Sequence, residues 1–173
     1  MKRGWMALLL LVSFALPVAL HAQASVYGEF STTRFFGTTE QSTFFGGTVG
    51  VLIDGPTIFH KLVVSPDIQG RFLGSNGENL DSGTVGPRFS LPLHRARITP
   101  YGEFMIGFAR YGGGPAGIAS SDYIFEVNAG VTRQLSPHWD GVFEYSYSQF
   151  GYNDGEFNPK TFSIGGIYHF NKR

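Results

Sequence analysis

The residues of this chain that could do chemistry are carboxylates, arginines and a histidine, set one or two at a time into segments of alternating polar and apolar residues. Carboxylates that face arginines in a confined space form ion pairs, whereas a row of them around water can carry ions or relay protons. We expect a structural network rather than a pore, with Arg71 and Arg88 as the counter-ions of the glutamates. The residues of this shared polar face are Glu29, Asp67, Arg71, Arg88, Glu103, Glu126, Glu144 and His169.

Metal and phosphate chemistry has less support in the sequence. The segment "GGGPAG" at 112–117 is followed by neither the helix nor the lysine of a phosphate-binding loop. The acids between the alternating segments match no calcium-loop spacing. These acids are Glu40, Glu78, Asp81, Asp122, Asp154 and Glu156. We therefore expect neither a metal nor a cofactor.

The elements that must position the polar face are β-strands. From Ser25 onward the hydrophobic pattern has a period of two, and each segment is close to the roughly 9 to 11 residues that a tilted strand needs to cross a bilayer. In every segment one face is apolar and the other carries the charge. The eight segments are 25–34, 44–54, 61–74, 84–93, 99–111, 123–133, 140–150 and 162–170.

The connections alternate between long and short, which is typical of an up-and-down barrel with both termini on the short-turn side. An even number of antiparallel strands closes the sheet and leaves no exposed edge. The long connections predict exposed loops that carry partner specificity, at 37–43, 74–83, 111–122 and 151–159. Pro66 and Pro87 fall inside strands, where a proline removes a ladder donor.

Alternation alone leaves open which face is inside. A soluble lipocalin-like barrel lines a ligand cavity with its apolar face, whereas a membrane barrel turns that face to lipid. Aromatic residues near strand ends favour the membrane, with Tyr101, Trp139 and Phe150 as interface anchors. An eight-stranded interior is only wide enough for side chains to fill it, so the charges would need partners there.

The N-terminus predicts a cleaved secretory signal peptide over residues 1–24, followed by one domain over residues 25–173. Lys2 and Arg3 precede an apolar stretch, and Ala22-Gln23-Ala24 supplies small residues for cleavage. Removing this segment changes 13 basic and 13 acidic residues to 11 and 13. A near-neutral chain argues against a nucleic-acid partner. The sequence has no cysteine, so no disulfide contributes to stability.

The end of the chain resembles the C-terminal β-signal of outer-membrane proteins, through Ser163, Gly165, Tyr168 and Phe170. By this resemblance, the last strand is the one that the outer-membrane assembly machinery reads during insertion. Three residues follow Phe170, whereas many such proteins end on the aromatic residue. More broadly, residues 25–170 resemble the small eight-stranded OmpA-like and OmpX-like barrels, without the peptidoglycan-binding domain of full-length OmpA-type proteins.

Catalysis is a weaker hypothesis for this chain. A lipid-modifying barrel would need a serine, a histidine and an acid near the outer leaflet. His60, His94 and His138 fall at short turns, and His169 lies at the opposite, periplasmic end. We therefore expect an all-β, eight-stranded antiparallel barrel in the outer membrane, monomeric and without catalytic residues. Its role would be structural or carried by its loops. A soluble binding protein for an apolar ligand and a lipid-modifying enzyme are the alternatives.

Overall fold

The fold consists almost entirely of β-strands in the computed structural model, which describes residues 24–34, 43–59, 61–93, 95–112, 120–152 and 155–170. Eight of the strands are long and two are short. The strands are β1 Ala24–Arg34, β2 Thr43–Ile53, β3 Thr57–Ile58, β4 Leu62–Ser75, β5 Glu78–Ser90, β6 Ile98–Gly112, β7 Ser120–Gln134, β8 Trp139–Tyr152, β9 Gly155–Phe157 and β10 Lys160–His169. In the described ranges, no helix has the length and apolar character that crossing a membrane would require.

The eight long strands form a closed antiparallel barrel. They pair in the order β1, β2, β4, β5, β6, β7, β8 and β10, and β10 returns to β1 with ten residue pairs in register, from Ser25 opposite His169 to Arg34 opposite Lys160. The short β3 pairs with β4, and the short β9 pairs with β8. The predicted eight-stranded up-and-down barrel is therefore confirmed.

The alternation of side chains places the apolar face outside and the polar face inside. Phe30 is 57% exposed on the outer surface, whereas its neighbours Glu29 and Ser31 are buried in the interior. The same pattern runs through the other long strands. The alternative in which the apolar face of the barrel lines an inner cavity is therefore wrong. Pro66 and Pro87 lie opposite each other on β4 and β5 and point outward, so the two strands continue through both.

The connection predicted as a loop at 74–83 is instead a tight hairpin. β4 runs to Ser75 and β5 begins at Glu78, which leaves Asn76 and Gly77 as the turn, both with positive φ (45° and 86°). This is the backbone that a two-residue hairpin turn requires, and Asn-Gly is its commonest sequence. The other predicted loops, 37–43, 111–122 and 151–159, lie partly outside the described residues, at 37–42, 113–119 and 153–154. Strands occupy part of each: β2 begins at Thr43, β6 ends at Gly112, β7 begins at Ser120, and β8 and β9 enter 151–159.

The interior of the barrel is layered along its axis. At the end reached by the β4–β5 hairpin, here called the loop end, an apolar group fills the lumen. At the other end, where β1 begins and β10 ends, here called the terminus end, a second apolar group includes two tyrosines. Charged side chains fill the space between. The loop-end cluster is Phe44, Leu73, Leu80, Ala109 and Ile124, and the second group is Tyr27, Tyr101, Val142 and Ile167.

Candidate functional site

The centre of the polar interior is Arg88 on β5, whose side chain is almost completely buried at 1% exposed. Its Nη2 lies 2.8 Å from Oδ2 of Asp67 on β4, and its Nε pairs with Oε1 of Glu103 on β6. The sheet register produces this arrangement, because Arg88 lies directly opposite Glu103. Asn128 donates a further bond to Glu103, with 2.9 Å between Nδ2 and Oε2. A buried guanidinium is thus held between two carboxylates.

Two tyrosines enclose the same guanidinium. The Arg88 Cζ lies 4.2 Å from the ring centroid of Tyr101 and 5.4 Å from that of Tyr27, within the range of cation–π attraction. Each tyrosine lies opposite a glycine on the adjacent strand, Gly130 and Gly50 respectively. A Cβ at either glycine would overlap the tyrosine ring. The glycines therefore let both rings lie flat across the inner wall.

The placement of Tyr101 corrects its prediction as an interface anchor. Tyr101 lies two residues before Glu103 on β6, so both side chains are on the inner face of the strand. Tyr101 is 6% exposed. Its hydroxyl donates to Oε2 of Glu144 at 2.8 Å. Trp139 does face outward, at 51% exposed. The side chain of Phe150 lies outside the described residues.

The second arginine, Arg71, joins opposite walls of the barrel. From β4 it reaches Glu126 on β7 through two nitrogens, with Nη1 to Oε2 and Nη2 to Oε1 each 3.0 Å. Its Nη2 also lies 3.7 Å from Oε1 of Glu144 on β8. Thr48 accepts from Nε of Arg71 at 3.1 Å. Because β4 is not a neighbour of β7 or β8, this network braces the barrel across its diameter.

Of the eight residues predicted on the polar face, six form the network around Arg71 and Arg88, whereas His169 lies at the terminus end and Glu29 stands apart. Neither carboxylate oxygen of Glu29 has a hydrogen-bond partner among the described residues. The sequence prediction missed several polar side chains that join the network. Each alternates with outward-facing residues on its strand, and this alternation could have indicated that it points inward. These are Tyr27, Thr48, Gln69, Asn128, Ser146 and Ser148.

The seam between the first and last strands is held by hydroxyl groups. Ser31 on β1 bonds to Thr48 on β2 at 2.7 Å and to Ser163 on β10 at 2.8 Å. Thr33 and Thr161 form a further pair at 2.7 Å. Each group can donate as well as accept, so the row satisfies itself in the interior. Ser163 of the predicted β-signal thus helps to close the barrel.

The remaining β-signal residues have distinct positions. Gly165 faces the interior opposite Glu29, and a Cβ there would come within 2.9 Å of the Glu29 Cγ and overlap the β1 backbone. Tyr168 and Phe170 share the outer face, with ring centroids 5.4 Å apart. Trp139 packs on Tyr168 at 5.1 Å. Recognition of this strand by the assembly machinery stays a prediction.

At the terminus end, a serine, a histidine and an acid meet inside the barrel. The Ser25 Oγ lies 2.7 Å from His169 Nδ1, and His169 Nε2 lies 3.0 Å from Asp140 Oδ2. The residue types are those of a nucleophile, a base and an orienting acid, but the two ring nitrogens are exchanged relative to the Ser-His-Asp triad, and His169 Nε2 contacts Asp140 without hydrogen-bond geometry. The three strands β1, β10 and β8 supply one residue each, so the group also links the seam.

A cavity of about 460 Å³, here called the vestibule, opens beside this group at the terminus end. Arg88 and Tyr101 form its inner limit, and its wall includes Leu52, Ile167, Arg97 and Asp140. Ser25 and His169 are not among the lining residues. Within the described ranges, no group of three or more histidines or acids is arranged to hold a metal ion.

Comparisons with known proteins find similar folds but no similar sequences. The chain matches no protein-family model and no curated protein. Among solved structures, it is similar to Neisserial surface protein A, NspA, with a TM-score of 0.67 and 15% identity over 85% of this chain and 97% of that one. It is also similar to Ail, the attachment invasion locus protein of Yersinia pestis, with a TM-score of 0.55 and 15% identity over 86% and 97%.

A third similar structure is an enzyme. The outer membrane enzyme PagL matches with a TM-score of 0.51 and 15% identity, over 81% of this chain and 98% of that chain. Identities this low establish a common fold only, because one fold hosts unrelated functions. The chain therefore has the fold of the small eight-stranded outer-membrane barrels.

Proposed function

We propose that this barrel lies in the outer membrane as a non-enzymatic monomer whose work is structural or is done by its extracellular loops, in surface contact or envelope integrity. The observation that carries the proposal is the filled interior. Arg71 and Arg88 brace the walls with four carboxylates, and the loop-end cluster fills the lumen beyond them. A barrel of this width with such an interior is a rigid scaffold rather than a channel.

The named neighbours support a surface role. One is a Neisserial surface protein, and another is named for attachment and invasion and has been solved with a heparin analogue, sucrose octasulfate. Loops on a rigid scaffold commonly carry recognition. By analogy, we expect the loop end of this barrel to face the outside and to bind a surface partner.

The proposed partners within the cell are the outer-membrane lipid bilayer, which the outer surface would contact, and the assembly machinery, which would read the last strand. Exposed apolar side chains such as Phe72, Phe104 and Phe125 cover the outer wall, which suits contact with the lipid bilayer. The assembly machinery would read Ser163, Gly165, Tyr168 and Phe170 after the signal peptide at 1–24 is removed. We expect no nucleic-acid partner.

The loop proposal is tested on cells that lack the protein and are complemented with variants. Replacing 113–119 by an equal-length Gly-Ser segment should reduce attachment to a glycan-coated surface while the barrel still assembles. The control is Phe59→Ser at the terminus end, where the side chain is 86% exposed. If the loop variant attaches like the wild type, and dye entry through the envelope is also unchanged, the loop does not carry the function.

A lipid-modifying enzyme is the second candidate, because Ser25, His169 and Asp140 lie in contact and PagL shares the fold. Against it, Ser25 is 1% exposed and does not line the vestibule. A fluorophosphonate probe separates the two functions. Labelling that Ser25→Ala abolishes would favour the enzyme, and an unlabelled protein would favour the scaffold.

A further inference from the structure

The charges of the lumen do not balance around its two arginines. Arg88 is shared by Asp67 and Glu103, and Arg71 is shared by Glu126 and Glu144. These contacts occupy both guanidinium groups with four carboxylates. Glu29 is the fifth acid of the same layer, and no ion pair joins it to a described residue.

Glu29 is also almost completely buried and has no hydrogen-bond donor among the described residues. It is 6% exposed, and both of its carboxylate oxygens lack a partner among the described residues. Its cross-strand neighbours are Thr48 on β2 and Gly165 on β10. The hydroxyl of Thr48 is already bonded to Ser31 and Arg71, and Gly165 has no side chain. A buried carboxylate without compensation is strongly unfavourable.

Two acids and two arginines lie within electrostatic range of Glu29. They are Glu144 on β8, Glu103 on β6, and the two arginines Arg71 on β4 and Arg88 on β5. Glu126 on β7 lies beyond them, bonded to Arg71. The hydroxyl of Tyr27, on the same strand as Glu29, donates to Asp67 at 2.9 Å and is not available either. The carboxylate of Glu29 therefore adds a negative charge to a layer whose positive groups are already used.

We propose that the folded barrel binds one small monovalent cation at Glu29, on the side that faces Glu144. The described residues offer no group of three acids or histidines for a metal ion, so a divalent cation does not fit. The cation is either a proton, which needs no further ligand, or an alkali ion that keeps part of its water. Gly165 leaves the space through which the Glu29 side chain extends along the inner wall.

The test measures how the folding equilibrium depends on each cation, with the full chain purified from membranes in detergent micelles. One arm exchanges sodium for tetramethylammonium at constant pH and ionic strength. The other lowers the pH from about 8 to about 5 at constant sodium. Binding of one cation to the folded state alone raises the folding constant by up to about tenfold for each tenfold rise in that cation.

In the wild type, the folding constant should depend either on sodium concentration or on pH. A dependence on sodium identifies an alkali ion, and a dependence on pH identifies a proton. Glu29→Gln should remove that one-cation dependence, whereas Glu78→Gln, a matched change at the start of β5 beside the hairpin turn, should keep it. If Glu29→Gln does not fold, Glu144→Gln should weaken the dependence instead. A wild type that responds in neither arm would overturn the proposal. So would an unchanged dependence in Glu29→Gln.

Infrared spectroscopy gives a second readout for the proton. A carbonyl band of a protonated carboxylic acid at neutral pH, lost in Glu29→Gln and kept in Glu78→Gln, would identify a proton at this site. If this band is absent and neither sodium nor pH changes the folding constant, Glu29 binds no cation. None of these readouts depends on what the loops bind, so the proposed function and this proposal can fail separately.

Discussion

Two layers of the same lumen are filled by opposite means. At the loop end, apolar side chains such as Phe44 and Leu73 fill the interior by packing alone. In the central layer, other inward-facing positions on the barrel strands carry arginines and carboxylates, and these are buried to a similar degree. The barrel wall is continuous between the two, so its geometry does not dictate which chemistry fills it.

Because they are held by different forces, the two layers should lose stability in different ways. Packing is lost gradually as volume is removed, and neighbours can relax toward the gap. A buried ion pair is of little net value when intact, but removing one partner leaves an uncompensated charge. Substitutions in the central layer should therefore be the more damaging, although the ion pairs themselves do not make the barrel unusually stable.

The largest effect is expected for Arg88→Met. The substitution keeps an unbranched side chain but leaves Asp67 and Glu103 without their cation, at a cost of about 3 to 5 kcal/mol in the free energy of unfolding. Urea titration in lipid vesicles, followed by the gel mobility of unboiled samples, measures this change. The control is Arg133→Met on the exposed surface, with a change of about 0.5 kcal/mol or less. A comparable loss in both variants would contradict the central role of Arg88.

Phe44→Ala tests the loop-end cluster and should be somewhat milder. Phe44 is 1% exposed, and its truncation leaves a cavity that costs about 3 kcal/mol. Its neighbour Phe45 points outward and is 55% exposed, so Phe45→Ala should cost clearly less under the same urea titration. Equal losses would mean that the loop-end cluster is not packed as described.

Gly165→Ala tests the seam between β1 and β10. The added methyl group would overlap the backbone of β1 and crowd Glu29, which should cost about 1 to 3 kcal/mol. Gly166→Ala is the matched control, because its Cβ would point outward and meet Trp139 at an ordinary 3.4 Å. Urea midpoints of the two variants give the comparison, and a milder loss at Gly165 than at Gly166 would be evidence against the close approach.

The smallest effect is expected for Tyr101→Phe. The ring would remain on Arg88, but the hydrogen bond to Glu144 is lost, which should lower the free energy of unfolding by about 1 kcal/mol. Tyr123→Phe serves as the control, since that side chain is on the outer surface. The same titration measures both variants, and no difference between them would indicate that the Tyr101 hydroxyl contributes nothing.

The sequence predicted the wall of the barrel better than its interior contacts. Period-two alternation is sufficient to assign faces, so Glu29, Arg88 and Glu103 were correctly placed inside. It does not specify which groups meet across the lumen, because the pairing of Arg71 with Glu126 depends on the tilt of strands that are not neighbours. Tyr101 was misplaced because its aromatic character and its position near a strand end outweighed its inward parity.

Turn chemistry explains the other error. The Asn-Gly pair at 76 and 77 is a strong hairpin signal, but the surrounding polar residues favoured a long loop. Once the turn is tight, β4 and β5 extend farther than hydrophobicity alone indicates. The Ser25, His169 and Asp140 group was not foreseen either, since it requires β1, β8 and β10 to meet where the barrel closes.

The most direct test of the closed interior is electrical. Wild-type protein is inserted into planar lipid bilayers, and the current is recorded at constant voltage beside that of Arg88→Met. A closed interior predicts no steady current through the wild-type barrel, because the central layer and the loop-end cluster fill the lumen in series. A steady wild-type current that Arg88→Met leaves unchanged would contradict it.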